Sequence, residues 1–318
     1  MTSKQIFELA IKLGLAADLR GPAGVKRYLA RIKKKYEALS ADQRAEFDQE
    51  KLNNPFSDSR FLAGAGNKPV RKILTGIDME GAELLLAKQM GDIDLVLAHH
   101  PQGEALADLS DVMELQAEVL AGYGIPINIA ESVTRPRISE VHRNVSSANH
   151  NQVVDMAKLL KIDFMCVHTP ADNLGANFLV KLFKQKAKDM ETVGDVMDLL
   201  KTIPEYQAAM KMKAGPMIVS GHEDSHAGKI IITEFTGGTE GAKDIYEKMS
   251  HYGIGTVIGM HMSEKNRVEA EKYHINVVIA GHMASDSLGM NLLLDELEKK
   301  GIEVVPTSGL IRVKRFKR

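Results

Sequence analysis

At three places in the sequence, nitrogen and oxygen donors follow a short apolar run. LVLA at 95–98 leads into His99 and His100. FMCV at 164–167 leads into His168, with Asp172 four residues on. VVIA at 277–280 leads into Gly281 and His282, with Asp286 four residues on. Neutral imidazole nitrogen and carboxylate oxygen suit zinc, iron, manganese or nickel. The i, i+4 spacing of His282 and Asp286 puts both on one face of any helix that starts there. Adjacent side chains of a regular strand point to opposite faces. His99 and His100 can therefore share a site only where the strand breaks, and Pro101 favours that break. A lone histidine at a strand end is ordinarily a hydrogen-bonded structural residue, but that does not account for a set that recurs with acids at a fixed offset. Together the residues exceed the three protein ligands usual for one open catalytic zinc, whereas a bridged pair of metals uses them all.

The elements that must position these residues are short apolar runs alternating with helical patterns from Lys72 onward. KILTGID is followed by a helix over about 79–90, and DLVLAHHP by a helix around 108–122. IPINIA reads as a strand, followed by a long helix through about 145–161. DFMCVHTP precedes a helix from about Gly175. After a polar helical segment, KDMETVGDVMDLLKTIPEYQ, the runs PMIVSG and KIIITEF read as a hairpin around HEDSHAG. GTVIGMH, NVVIAGH, a helix over about 287–300 and IEVVP complete the series. This predicts an α/β fold with mixed, largely parallel sheet layers covered by helices. Open sheets of this kind place their sites outside the carboxyl ends of strands. Residues 1–50 carry apolar positions at helical spacing, and NNPFSDSRFLAGAGNKP reads as a connection. The expected organisation is a helical N-terminal extension and connection over 1–66, a metal-binding α/β part over 67–185, a smaller middle lobe over 186–250, and an α/β part over 251–318 that completes the site. No fixed-period repeat is evident.

Composition narrows the class. The 318 residues carry a net charge of −1, which argues against a nucleic-acid or membrane-surface protein as a whole. Cys166 is the only cysteine, so a disulfide framework and a thiolate zinc site are excluded. The N-terminus lacks a signal-peptide pattern and no apolar run is long enough for a bilayer, so a cytoplasmic location is expected. The absence of Trp disfavours a base-stacking platform.

LVLAHHP, CVHTPADNLGAN and VVIAGHMASDSLGMNLL resemble the motifs of the Nif-three-like family, also catalogued as GTP cyclohydrolase type 2 homologues. The resemblance covers most of the stretch from Lys72 to the C-terminus and includes KILTGID and VVPTSG. It implies a di-metal site between α/β elements and a ring-shaped homo-oligomer, often a hexamer. The ligands it implies are His99, His100, Asp172, His282 and Asp286, with His168 on the metals or just behind them. It further implies hydrolytic opening of a nucleotide ring by a metal-bound hydroxide, with formate released and a proton moved by His168 or His261. Two departures stand out: Asp286 replaces the family's usual glutamate, and PFSDSRFLAG replaces an early Trp-Asp-Asn stretch. A metal-stabilised scaffold without turnover is the rival reading, because no guanine- or triphosphate-reading motif is visible.

The remaining candidates have plainer readings. HEDSHAG reads as a solvated hairpin tip. FTGGTEGAKD lacks a Walker pattern and reads as an ordinary helix start. The basic run Lys26–Lys35 reads as a solvated helix face. His261 closes GTVIGMH, where a structural role and a supporting role beside His282 are both open. MDLL and MKMK read as packing filler.

Overall fold

The computed structural model describes every residue except 187, 189, 317 and 318, so residue 189 of the polar helical segment and the last two residues of the basic tail lie outside the described ones. Residues 3–46 are largely helical. Helix α1 (Ser3–Ala17) starts from a capping box in which the Thr2 hydroxyl accepts from the Gln5 N–H and the Gln5 side chain accepts from the Thr2 N–H. It buries Ile6, Ala10 and Gly14, one helical stripe. Helices α2 (Gly21–Glu37) and α3 (Ala41–Glu46) bury only Gly24 and Val25 between them, so the Lys26–Lys35 face is solvated.

The chain then forms β1 (Arg60–Ala63), β2 (Lys72–Gly76), α4 (Gly81–Met90), β3 (Leu95–Ala98), α5 (Glu104–Ala107), a 3-10 segment at Leu109–Met113, α6 (Glu114–Gly122), α7 (Ile127–Ser146) and α8 (Gln152–Leu160). It continues through β4 (Asp163–Cys166), α9 (Thr169–Lys186), α10 (Val193–Lys201), α11 (Pro204–Lys211), β5 (Met217–Ser220) and β6 (Lys229–Ile232). The last elements are α12 (Ile245–His251), β7 (Ile254–Gly259), α13 (Glu264–Lys272), β8 (Asn276–Ile279), α14 (His282–Lys299) and β9 (Glu303–Pro306). Two sheets result, in the orders β1-β4-β3-β2-β9 and β5-β8-β7-β6. Each is parallel except for its first strand, which runs antiparallel to its neighbour. All four residues of β3 are buried, as expected of a strand covered on both faces.

Several expectations are corrected. PMIVSG and KIIITEF do not form a hairpin, because β5 and β6 lie at opposite edges of the second sheet and each pairs with a later strand. IPINIA is not a strand; Pro126 precedes the first turn of α7, where its missing N–H costs nothing. The connection at 53–69 contains β1, a four-residue edge strand defined by its pairing with β4. Helices α9 and α14 begin about one turn or more before the expected starts. Met210 and Met212 of MKMK are exposed, whereas Met197 of MDLL is buried as packing filler.

The chain also holds a duplication, although it has no fixed-period repeat. The order β1-β4-β3-β2 recurs as β5-β8-β7-β6. His168–Leu179 and His282–Leu293 share the pattern His-x-x-x-Asp-x-Leu-Gly-x-Asn-x-Leu. Both segments form helices, α9 and α14, which cross between the sheets. Helix α14 sends Met290, Leu293, Leu294 and Leu297 into the core of the first sheet and Ala284 and Leu288 into that of the second. A Cβ on Gly289 would lie 2.3 Å from the Ala171 carbonyl oxygen, so the two backbones meet at glycine.

Candidate metal centre

The site lies where the carboxyl ends of β3 and β4 face the first turns of α9 and α14. The ladder between β2 and β3 continues past Ala98, with His99 N–H donating to the Gly76 carbonyl and His100 N–H to the Ile77 carbonyl, each at 3.0 Å. The strand then ends, and the His99 and His100 rings turn to the same side with centroids 5.3 Å apart. His168 immediately precedes α9 and Asp172 stands in its first turn; His282 opens α14 and Asp286 follows one turn later.

All six side chains converge. His99 Nε2 is 3.3 Å from one Asp172 oxygen and 3.5 Å from Asp286 Oδ1. Asp286 Oδ2 is 3.4 Å from the Nε2 atoms of both His100 and His282. His168 Nε2 is 3.7 Å from the other Asp172 oxygen. Donor atoms within 4.8 Å of one another form three groups: His99, Asp172 and Asp286; His100, His282 and Asp286; and His99, His100 and His168. His261 lies outside these groups, its ring 4.9 Å from that of His282. In HEDSHAG, His222, Glu223, Asp224 and His226 are exposed to solvent.

Two residues that orient the rings escaped sequence reasoning. Asp58, wholly buried, accepts from His168 Nδ1 at 2.8 Å and from the Thr169 hydroxyl at 2.6 Å. Asp78 pairs with His100 Nδ1 at 2.6 Å. The Val167 carbonyl accepts from His99 Nδ1 at 3.1 Å, and a carbonyl can only accept, so that nitrogen carries the proton. The three contacts fix the rings with Nε2 toward the centre, the arrangement typical of metal-binding histidine. Asp78 ends KILTGID and could have been found as another strand-end donor. Asp58 sits in a loop with no periodicity, and only tertiary pairing reveals it.

The electrostatics fit a cation. His99 Nε2, Asp172 Oδ1 and both Asp286 oxygens are buried without a hydrogen bond. Such orphan atoms are costly in a protein interior unless something binds them. Burial disfavours charge on His99, but the facing Asp286 and Asp172 carboxylates outweigh it and hold its pKa well above the ordinary value. Burial would likewise raise Asp286, but His99 and His100 outweigh it and hold that carboxyl far below the usual range. His168 is raised against burial by Asp172 and Asp58, whereas His282 and His261 are lowered, mainly by burial. These buried His/Asp groups could hold a metal ion.

No protein-family model and no curated protein matches the chain. Among solved structures, a NIF3 superfamily protein from Sphaerobacter thermophilus matches with a TM-score of 0.74 and 30% identity, over 80% of this chain and 92% of that one. Reduced HcgD from Methanocaldococcus jannaschii matches with a TM-score of 0.48 and 12% identity, over 84% of this chain and 97% of that one. A Bacillus cereus protein related to NIF3 gives a TM-score of 0.47 and 11% identity, over 100% and 99%. The 30% identity to the Sphaerobacter protein, sustained over most of both chains, establishes that this chain belongs to the NIF3 superfamily.

Proposed function

We propose that the protein is a metal-dependent hydrolase acting on a nucleotide or related heterocycle, with two divalent transition-metal ions sharing Asp286. The observation that carries this reading is the pair of donor groups that meet at one carboxylate. His99, Asp172 and Asp286 would hold a buried ion, with His168 beside it. His100, His282 and Asp286 would hold an ion at the mouth, where the His100 and His282 side chains are 22% and 38% exposed. When bound, such ions supply Lewis acidity and bring the pKa of water toward neutrality. The residues of the chain do the rest: Asp58 and Asp78 keep His168 and His100 in register, and His168 or His261 moves the proton. The substrate class comes from the family resemblance. The test is metal analysis, expected to give about two ions per chain, followed by incubation with a nucleotide panel to detect formate and altered ultraviolet absorbance. One ion or fewer under metal-replete conditions overturns the binuclear version.

A second reading, a metal-stabilised scaffold without turnover, is favoured by the complete burial of His99. Full metal loading with no turnover across the panel would support it. A ring-shaped homo-oligomer, a hexamer by analogy with the family, is proposed on the family resemblance, and a cytoplasmic location on the single cysteine and the lack of a long apolar run. No described helix is long and apolar enough to cross a membrane. Sedimentation showing only a 34.9 kDa monomer at micromolar concentration would overturn the ring.

Metal uptake should release protons. With its pKa held above the ordinary value by the facing Asp286 and Asp172 carboxylates, His99 of the metal-free protein keeps its proton to higher pH than a free imidazole does. Below that raised pKa, affinity at the buried position should fall about tenfold per pH unit as the proton competes with the ion. Stability of the metal-free protein follows the same groups. The His99 contribution is complete below the unfolded pKa of about 6.5 and is lost as pH rises through the folded value. The Asp286 contribution is present above about 3.9 and is lost on strong acidification. Calorimetry in two buffers of different ionisation enthalpy measures the protons released. Zero protons released at pH 5.5, below even the ordinary imidazole pKa of about 6.5, would remove His99 from the ligand set.

A further inference from the structure

We propose that His261 is an exchangeable fourth ligand to the ion at the mouth of the centre. The proposal rests on the reading of His100, His282 and Asp286 as ligands, and the duplication carries it. Val167 N–H donates to the Ala98 carbonyl in the first half at 3.0 Å, and Ala280 N–H donates to the Gly259 carbonyl in the second at 2.8 Å. By strand register, with Ala98 opposite Cys166 and Gly259 opposite Ile279, Ala98 and Gly259, the last residues of β3 and β7, are equivalent, and the second half carries one extra residue before its motif histidine. It follows that Met260 stands where the first half has His99, and His261 where it has His100. With Met260 in that place, the end of β7 offers His261 as its donor side chain, beside His282 and Asp286 of α14.

Placement agrees. The His261 ring meets that of His282 edge-on, at 4.9 Å and 68°, and the His282 ring is 5.3 Å from that of His100. Three imidazoles thus stand in a row across the mouth. Three protein ligands leave an open position on a catalytic ion, and imidazole suits the same metals. Among the described residues no hydrogen bond holds either ring nitrogen of His261, and the half-buried ring is positioned by its contact with His282. Its backbone is tied as well, because the Ser263 N–H two residues on donates to Glu240 at 2.5 Å. Bound, the imidazole closes the open position. Displaced by a substrate oxygen, it remains beside that oxygen as a proton acceptor.

The test uses the full chain loaded with Co(II), read by visible absorption and by chelator competition. His261→Ala should weaken Co(II) binding about tenfold or more at one of the two positions. It should also reduce the intensity of the visible band, and added imidazole should restore it. His261→Asn, which nearly keeps the size, should behave like His261→Ala. Thermal melts of the metal-free variants confirm folding. Folded variants with the band and both affinities of the unsubstituted protein would overturn the proposal. Failure of the unsubstituted protein to take up cobalt would overturn the metal reading itself.

Discussion

Replacing Asp286 by Asn should lower metal affinity at least about a hundredfold, more than the loss of an orienting residue costs. Asp286 is the one side chain shared by the group of His99, Asp172 and Asp286 and the group of His100, His282 and Asp286. Its Oδ1 faces His99, and its Oδ2 faces His100 and His282. Asn keeps the size but supplies one neutral oxygen, and its NH₂ would aim a donor at an imidazole nitrogen that needs an acceptor or an ion. A role as a helix cap would make the substitution nearly silent, since Asn caps about as well as Asp. The structure removes that alternative: the residue before α14 is Gly281, and Asp286 lies a full turn inside the helix. In the metal-free protein, Asp286→Asn should also lower thermal stability, because His99 loses its principal counter-charge. Asp286→Glu restores the family's usual residue and should retain metal. Elemental analysis and chelator competition on the two variants decide the matter, and unchanged metal content in Asp286→Asn would end the bridging assignment.

Gly289→Ala should destabilise the protein by about 2–3 kcal/mol and weaken metal binding, although Ala is the better helix former. The added Cβ would sit 2.3 Å from the Ala171 carbonyl oxygen and 2.8 Å from its carbon. Those are backbone atoms one residue before Asp172, so they can yield only if α9 moves away from α14. Moving α9 separates Asp172 from Asp286. The gain in helix propensity, about 1 kcal/mol, does not offset the clash. Gly175→Ala, the equivalent change on α9, is the control. Its Cβ would lie 3.4 Å from the Gly289 backbone, an ordinary contact, so it should be nearly neutral. Melting temperature and metal content, measured on both variants, test the argument. Equal behaviour of the two would show that the helix crossing does not set the centre.

The donor residues were legible because they follow apolar runs, and the β period makes such runs readable one at a time. The α/β class followed from the alternation of those runs with helical stretches. Pairing was not legible. Nothing local in PMIVSG or KIIITEF says that each will pair with a later strand, because register and neighbour are settled by burial across the whole sheet. Residues 125–130 read as a strand yet enter a helix because a short apolar run suits both equally, and the context of Pro126 decides it. The duplication was present in the letters as two copies of His-x-x-x-Asp-x-Leu-Gly-x-Asn-x-Leu, but two copies far apart do not form a period.

By itself, the sequence determined the kinds of donor atom, their place at strand ends and the spacing that puts His282 and Asp286 on one helical face. These are local properties, set by residue chemistry and by the geometry of a single element. The tertiary structure alone decided which oxygen faces which ring, that Asp58 and Asp78 aim two of those rings, and that His99 is sealed while His282 meets solvent. The facing of Asp172 and Asp286 depends on how closely α9 and α14 approach at Gly175 and Gly289, and the aiming of the rings on strand ends and a loop brought together by the sheet. That distance is set by packing between residues remote in the chain, which no local pattern encodes.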